Sequence, residues 1–591
     1  MSIQNKIPLK TFWDTVEERL AAYSIEDLRA ILRAMAQATG SNDRQLFLAQ
    51  LKVPEAEATP VIQEQALLAD IDDLIAEFEE VQENADAWEE ERWDEDYYDD
   101  EDGLGPYEDF IESLTALFDQ AEAAFDYGDL DLAREAYQRL FSIIGQEDDY
   151  GRGVQVYNLN QVDWEEAVAR YLRAIYETTP LTERVQILHT KLQYTPRRQF
   201  GGKHPMFNDL IMITPRPLPE LEQFLPKWGA YLRTQDAPSG SDNDAWLREA
   251  VALDQGIQGL EALARAEGQH RPRAYLDWFA ALADENRQQD ILDAAQQALH
   301  DLPATMPIRA AIADYVYDAA KSLKQPEAMR LGRWEAFAAK PTLIRLLDLW
   351  DIASDTQERA TLMQQALKHI KAQMPSASTG ASSMSWGGDA LEHPAHIGNN
   401  TLAHAYLLTG EWTAAQKLAT DANVLGWSNA TSYQGLIVEA FLVMLANAPS
   451  TLPANLTQVW ELGLVHTTDH WSLPGLGNDN IITRLKSIYA AHFAQVHWPV
   501  AQQTQVMAWC LDIVQKRVAA IVGNQYRKSY NKAAVLVVAC AETLHFRDEH
   551  AAARAFVDEV RGRFPRHSAF QREMKSALHD MTRSLNVTGQ T

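Results

Sequence analysis

The sequence predicts an all-α protein built from helical hairpins, and three observations favour this class. Runs rich in Ala, Leu, Glu, Gln and Arg recur along nearly the whole chain, and these residues have high helix propensity. Alternating β-branched runs bounded by turn residues, which would predict strands, are scarce. Similar helix–turn–helix segments return along the chain, in one case after 34 residues. We therefore expect little sheet.

Residues 1–53 open the chain with a predicted helix. Ser24 and Asp27 form its capping pair, and apolar residues recur at helical spacing until Gly40. The first 20 residues contain no apolar signal core, and the longest apolar run has nine residues, whereas a membrane-spanning helix needs about 20. Cys510 and Cys540 form no zinc or redox spacing. We expect a soluble protein in a reducing cytoplasm.

The acidity of the chain is concentrated in one segment. The net charge is −32, and residues 51–150 contribute −29 of it with 33 acidic and 4 basic residues. The rest of the chain is nearly neutral, which argues against a large nucleic-acid surface because duplex binding requires a basic stripe. Basic residues gather at 191–233 and from Ile521 onward. Either group could instead meet the acidic segment within the same molecule.

Residues 94–110, DEDYYDDEDGLGPYEDF, combine nine carboxylates with four aromatic rings. An EF-hand needs acids at positions 1, 3 and 5, glycine at 6 and glutamate at 12, and neither glycine of the segment meets that spacing. A solvated tether is one interpretation, because blocks of like charge repel one another. Docking onto a basic, apolar surface is another, since tethers are poor in aromatic residues and this region holds Trp93, Tyr97 and Tyr98. Loose divalent-ion binding also stays open.

Helical hairpins recur from residue 117 onward. In LFDQAEAAFDYGDLDLAREAYQRLF (117–141), one helix runs to Phe125, Gly128 and Asp129 turn the chain, and a second helix follows. In that second helix Ala133 and Tyr137 have counterparts of the same kind 34 residues later, in VDWEEAVARYLRA. The pattern returns in LAHAYLLTGEWTAAQKLA (402–419) and more loosely in FRDEHAAARAFVDEVRGRFP (546–565).

These segments resemble the tetratricopeptide (TPR) repeat, a helix–turn–helix unit of 34 residues. In such a unit small alanines let two antiparallel helices approach, glycine ends the first helix, and an aromatic residue fills the gap to the next repeat. Any antiparallel helical hairpin shows similar residues, so that plainer interpretation stays open. The stretch from Gly145 to Gln161 lacks a regular first helix. The resemblance therefore implies helical hairpins stacked as a degenerate TPR-like α-solenoid.

Stretches rich in Pro, Gly and Ser at 195–220, 234–244 and 374–388 interrupt the helical pattern. With such breaks as boundaries we expect five segments. They are an N-terminal helical segment (1–53), an acidic segment with a disordered or loosely ordered linker (54–110), a TPR-like helical domain (111–233), a helical-repeat domain (245–373) and a C-terminal TPR-like helical domain (389–591).

A second resemblance covers most of the chain. The acidic, aromatic run that leads into FDYGDLDLAREAYQRLF, with VARYLRAIYETTP, RWEAFAAKPTLIRLLDL and NQYRKSYNKAAVLVVACAETL, is similar to the helical portion of bacterial SWIM-zinc-finger proteins. That family's zinc motif requires Cys-x-Cys followed by Cys-x-His, which this chain lacks. The resemblance implies a bacterial helical module that works beside such a partner. It carries over neither zinc nor a nucleic-acid role.

Two histidine clusters are candidates for metal chemistry. His466 and His470 enclose Asp469 and echo the His-x-x-Glu-His motif of inverted zinc proteases, although WSLPGLGND directly after them argues against a long helix. Surface or capping histidines are the plainer interpretation. The chain has no Gly-x-x-x-x-Gly-Lys-[Ser/Thr] loop and no Gly-x-Ser-x-Gly elbow. The other histidine cluster contains Glu392, His393, His396 and His404.

The resemblance to TPR repeats implies that the first helix of each pair lines a concave groove. An acidic, apolar groove favours basic or amphipathic peptides. One set of groove positions is Phe118, Glu122, Phe125 and Asp126. The other set is Ile397, Asn400, His404 and Leu407.

We therefore expect a non-enzymatic scaffold or adaptor that binds a protein partner, through a basic or amphipathic segment, in a helical-repeat groove. Trp93, Tyr97 and Tyr98 are expected as further contacts. We expect no catalytic residue, cofactor, metal, direct nucleic-acid contact or membrane association. Two alternatives stay open: a metal-dependent hydrolase that uses the histidine clusters, and an accessory factor to a zinc-finger partner that binds nucleic acid.

Overall fold

The computed structural model describes residues 64–85, 104–194, 205–374, 397–447, 452–468 and 478–588, together with residue 391 and parts of 15–33. Every regular element among these residues is a helix, which confirms the all-α class. The α-helices that we number are α1 (Glu64–Glu83), α2 (Phe110–Tyr127), α3 (Leu130–Ile143), α4 (Trp164–Thr178), α5 (Arg184–Tyr194), α6 (Phe207–Met212), α7 (Leu221–Leu232), α8 (Asp242–Glu267), α9 (Arg273–Asp284), α10 (Gln288–Asp301), α11 (Arg309–Ser322), α12 (Pro326–Ala339), α13 (Leu343–Ile352), α14 (Thr356–Gln373), α15 (Asn399–Thr409), α16 (Trp412–Thr420), α17 (Ser432–Ala446), α18 (Ala454–Thr467), α19 (Asn478–Phe493), α20 (Val500–Gly523), α21 (Tyr530–Phe546), α22 (His550–Arg563) and α23 (Ser568–Thr588).

The chain divides into two compact units. Unit 1 ends at Trp278 and unit 2 begins at Phe279, so α9 crosses the division. Within each unit, most helices pack on their neighbours in sequence, as α2 does on α3 and α11 on α12. No helix in the described ranges is both long and apolar enough to cross a membrane.

One tight turn recurs between successive helices. A single residue in the left-handed region ends the first helix, and the next amide donates to the carbonyl five residues before it, which satisfies a carbonyl at the helix end. Gly128 (φ 89°) makes this turn between α2 and α3, where Asp129 N donates to Ala124 O at 3.0 Å. The predicted turn is confirmed. The left-handed residues of this set are Gly128, Asn286, Lys324, Gly410, Gln525 and Asp548.

Small residues let the paired helices approach. A Cβ at Gly332 on α12 would lie 2.8 Å from Tyr317 N and 2.9 Å from Ala313 O of α11, so only glycine fits there. On α3, Ala133 is fully buried and Tyr137 stacks on Phe141 with centroids 5.8 Å apart. The residues of the 34-residue pattern therefore form core contacts. The TPR repeat type itself stays a prediction.

The segment between α3 and α4 contains no α-helix, in agreement with the irregularity read from Gly145 to Gln161. It includes one 3-10 helix, Val156–Asn158. Asp148 is buried and organises the loop that precedes this 3-10 helix. Its carboxylate accepts from Tyr150 N at 2.9 Å and from Arg152 Nε at 3.1 Å. Such side-chain caps replace the hydrogen bonds that a helix would have supplied.

The acidic helix α1 is a packed part of unit 1. Its apolar residues recur at i, i+4, i+7 and i+11, and all four are buried: Leu67, Ile71, Leu74 and Phe78. Phe78 lies 4.9 Å from Tyr107 and 5.5 Å from Phe110 between ring centroids. The opposite face exposes Asp70, Asp72, Asp73, Glu77, Glu79, Glu80 and Glu83. The expectation of a disordered or loosely ordered linker is therefore wrong for 64–85 and 104–110, because an amphipathic stripe docks α1.

Phe78→Ala should destabilise unit 1 by about 3–5 kcal/mol, the usual cost of emptying a buried aromatic site. Urea unfolding measures the loss of stability, and hydrogen exchange of residues 64–83 and 130–143 shows where the protein opens. Glu80→Gln, an exposed change on the same helix, should stay within about 0.5 kcal/mol of the parent. Equal exchange in both variants would contradict the docking of α1.

Candidate functional site

The first predicted groove set lies on α2, and its aromatic members are in the core. Phe118 and Phe125 are 3% and 1% exposed, and Phe118 packs edge-to-face on Trp164 with centroids 5.1 Å apart. Asp126 is exposed, and Glu122 is half-buried. The prediction that the two phenylalanines line an open groove is wrong, because α2 packs its aromatic face against α3 and α4.

One acidic member of that set, Glu122, is paired with an arginine. Arg170 Nη2 donates to Glu122 at 2.6 Å and to Glu166 at 3.0 Å. Burial raises the pKa of Glu122, the Arg170 guanidinium opposes this rise, and the carboxylates of Asp126, Glu166 and Asp119 add to it. The charge of this cluster is thus partly neutralised within unit 1.

The second predicted groove set lies on and beside α15. Ile397 and Leu407 are buried, and His404 is 0% exposed. Asn400 is half-buried and accepts from Ser432 Oγ at 3.0 Å. Since α15 packs against α14, α16 and α17, it is apolar on nearly every side, as buried helices are. The expectation of a groove surface is therefore wrong for Ile397, His404 and Leu407.

His404 instead joins a buried polar network. Its Nε2 lies 3.0 Å from Thr467 Oγ1, and its Nδ1 lies 2.7 Å from Tyr489 Oη. Because the Thr467 hydroxyl donates to Gly463 O at 2.8 Å, Thr467 accepts from Nε2–H and the Tyr489 hydroxyl donates to Nδ1. Burial lowers the pKa of His404 to about 3, so the imidazole is neutral.

Several predicted site residues lie outside the described residues, and their roles stay predictions. These residues are Trp93, Tyr97, Tyr98, Glu392, His393, His396, Asp469 and His470. Among the residues that the structure does describe, no group of three or more His, Cys, Asp or Glu side chains is placed to hold a metal ion. His466 lies on α18. The metal-hydrolase alternative stays a prediction.

An apolar cleft of about 330 Å³ lies between α17, α18 and α19 in unit 2. We call it the apolar cleft and define it by Val443, Met444, Leu452, Trp460, Tyr489 and Phe493. The Tyr489 ring packs edge-to-face on Trp460 at 5.3 Å and lies 5.1 Å from Phe493. These three rings form a firm wall, since aromatic pairs at such distances stabilise one another.

The open side of the cleft is also defined by named residues. Val443, Met444, Leu452 and Phe493 are only half-buried, and Ala490 and Ala494 are exposed at the mouth. Glu461 and Lys486 form an ion pair beside the cleft and join α18 to α19. Asn447 and Thr457 also line the cleft, so its surroundings are mainly apolar, with two neutral polar residues and one internally neutralised pair.

The sequence carried a partial signal for this cleft. Tyr489 and Phe493 are four residues apart, which places both rings on one side of α19. Their partner Trp460 lies on another helix, and no spacing within α19 indicates which helix will face it.

Comparisons with known proteins add no identification. No protein family matches the chain, and no curated protein matches it either.

His404→Gln should weaken the pH dependence of stability in unit 2. The pKa of His404 is about 3 in the folded protein and about 6.5 in an unfolded chain. The unfolded chain therefore binds the proton more tightly, so the stabilisation is complete above the unfolded pKa and is lost as the pH falls toward 3. The loss is at most about 1.4 kcal/mol per pH unit.

The measurement is urea unfolding of the variant and the parent at several values between pH 6.5 and pH 4. The slope of unfolding free energy against pH should be smaller in His404→Gln, because up to one proton fewer is taken up on unfolding. His497→Gln removes an exposed histidine and should leave the slope unchanged. If His404→Gln has the same slope of unfolding free energy against pH as the parent, His404 is not held neutral in the folded protein.

Proposed function

We propose that this protein is a non-enzymatic interaction scaffold that binds a segment of a partner protein in the apolar cleft. The observation that supports this most is the cleft itself, where half-buried apolar side chains surround a wall of three aromatic rings. Contiguous apolar surface that solvent can reach favours a docking site over a purely structural role.

The chemistry of the cleft favours an apolar anchor side chain. Trp460 and Tyr489 are 5% and 1% exposed and back the wall, so the apolar surface available to a ligand belongs to the half-buried Val443, Met444, Leu452 and Phe493. Glu461 and Lys486 are paired with each other and need no charged partner. An amphipathic helix that inserts Leu, Phe or Trp at helical spacing fits these walls.

The charge of the chain favours a basic partner. The net charge is −32, and α1 exposes seven carboxylates from Asp70 to Glu83. A net negative potential speeds the encounter with a positively charged protein and disfavours acidic ones. The proposed ligand is therefore an amphipathic segment with apolar anchors that belongs to a protein of net positive charge.

Three further expectations belong to this proposal. The helical hairpins are TPR-like repeats of a bacterial protein, and residues 86–103 supply a second contact through their aromatic and acidic side chains. The protein works in the cytoplasm, and its two cysteines, both buried free thiols, are compatible with a reducing compartment.

Ala490→Arg should weaken partner binding. Ala490 is exposed and lines the cleft, so a long cationic side chain would fill the cleft and repel a basic ligand without changing the core. Peptides selected by display on the parent protein, measured by fluorescence anisotropy, should lose about tenfold or more in affinity, which equals 1.4 kcal/mol.

Ala491→Arg is the matched control. It adds the same charge at an exposed position of the same helix, one residue away, and should change the affinity less than about twofold, since surface changes outside an interface have small effects. The proposal fails if the selected peptides bind the Ala490→Arg protein as tightly as the parent, or if they contain no apolar anchor.

A further inference from the structure

A second cavity in unit 2 has a buried carboxyl group and a buried guanidinium in its wall. Glu439 on α17 and Arg517 on α20 are 5% and 8% exposed, and both line the cavity. Among the described residues no ion pair within 4.0 Å joins them. We call this space the Glu439 cavity. It is separate from the apolar cleft, although α17 and α18 contribute to both.

Arg517 is held in place by its neighbours. Its guanidinium lies over the Trp427 ring, 4.0 Å from the centroid, and Nη1 donates to Val424 O at 2.7 Å. Trp427 is itself fixed, because its Nε1 donates to Gln434 Oε1 at 2.6 Å. A stacked guanidinium with a planar set of donors is suited to a carboxylate.

Glu439 occupies space that two glycines leave open. A Cβ at Gly463 would lie 1.8 Å from Glu439 Oε2, and a Cβ at Gly435 would lie 2.9 Å from Trp427 Cε3 and 3.6 Å from Glu439 Oε1. Oε2 is buried, and no residue in the described part of the chain donates a hydrogen bond to it. A buried carboxyl oxygen without a partner is costly, so this group is incompletely satisfied in the empty cavity.

The cavity has room for a small molecule. Its volume is about 50 Å³, and since about 10–15 Å³ is enough for one water, it holds roughly four water-sized groups. Around its rim lie Gln458, His466, Asn531 and Lys532, of which all but the half-buried His466 are exposed. A ligand seated between Glu439 and Arg517 could therefore extend a side chain toward solvent.

We propose that the Glu439 cavity binds a free α-amino acid, with its carboxylate on Arg517 and its ammonium group on Glu439. The reason is electrostatic. Once Glu439 is ionised, a simple anion at Arg517 would lie against its carboxylate, and a simple cation would lie against the guanidinium. A zwitterion satisfies both buried groups and brings no net charge into the protein, which avoids the large cost of burying an uncompensated ion.

The protonation of Glu439 gives this binding a distinctive signature. Burial raises the pKa of Glu439 to about 8, and Arg517 opposes the rise. The other ionisable groups that line the cavity are His466 on α18 and Lys532 on α21. At pH 7 the empty site therefore holds a proton on Glu439, and an ammonium group that favours the carboxylate releases it. Affinity should rise as the pH increases toward 8 and then level off.

Isothermal titration of the full chain with glycine at pH 7, in two buffers of different ionisation enthalpy, tests the proposal. We expect a Kd of about 1 mM or tighter and the release of up to one proton. The comparison ligands are titrated at about pH 9, above the pKa of Glu439, which is about 8. There acetate and methylammonium should each bind at least about tenfold more weakly than glycine, because acetate faces the ionised Glu439 and methylammonium faces the guanidinium.

Three variants separate the site from its surroundings. Glu439→Gln, which is nearly isosteric, should weaken glycine binding at least about tenfold and abolish proton release. Arg517→Lys keeps the charge but loses the planar donor set, so it should weaken glycine binding and keep proton release. Lys516→Gln, at an exposed neighbour paired with Asp512, is the control and should bind as the parent does.

Far-UV circular dichroism establishes whether each variant is folded. If Glu439→Gln does not fold, glycine binding by Arg517→Lys tests the proposal. The proposal is overturned if the parent does not bind glycine at about 10 mM, ten times the weakest expected Kd. It is also overturned if acetate binds as tightly as glycine above the pKa of Glu439, or if the Glu439 and Arg517 variants both bind glycine as the parent does.

Discussion

The tight turn between successive helices is the constraint on which the rest of the structure depends. One left-handed residue and one hydrogen bond to the carbonyl five residues earlier reverse the chain at six places among the described residues, from Gly128 to Asp548. The reversal forces neighbouring helices to be antiparallel and adjacent, so small residues must lie where they meet, as Gly332 does. Lys324 and Gln525 adopt the left-handed conformation at a cost of roughly 1–2 kcal/mol each, which the packing of the joined helices offsets.

Close pairing also determines which surfaces remain accessible. A helix such as α15, which packs against four others, buries the positions that a simple two-helix repeat would expose. Within unit 2 a buried network runs from Tyr489 through His404 and Thr467 to Gly463. Tyr489 is in the wall of the apolar cleft, and Gly463 lies against the Glu439 carboxyl group. A fully satisfied network of this kind rigidifies its members, so both sites have preorganised walls.

The sequence was sufficient for the fold class, for the turn at Gly128, and for the irregular stretch after Gly145, because each depends on local propensity and turn chemistry. It misplaced Phe118, Phe125 and His404, because exposure depends on how many other helices pack against a given helix. The sequence interpretation also placed α1 in a loose acidic segment. It relied on the number of charged residues there and not on the four apolar positions from Leu67 to Phe78. Glu439 was not found, because an isolated acid in an apolar helix has no motif.

The central claim is that the space between α17, α18 and α19 accepts a segment of another protein. A photo-crosslinking amino acid at position 494, which is exposed at the mouth of the cleft, tests it most directly in the native host. Position 491, which is exposed on α19 and does not line the cleft, serves for comparison. The account predicts a crosslink from position 494 to an apolar or basic residue of a different polypeptide, and none from position 491. Crosslinks from position 494 only to this chain's own residues, or equal crosslinks from both positions, would contradict it.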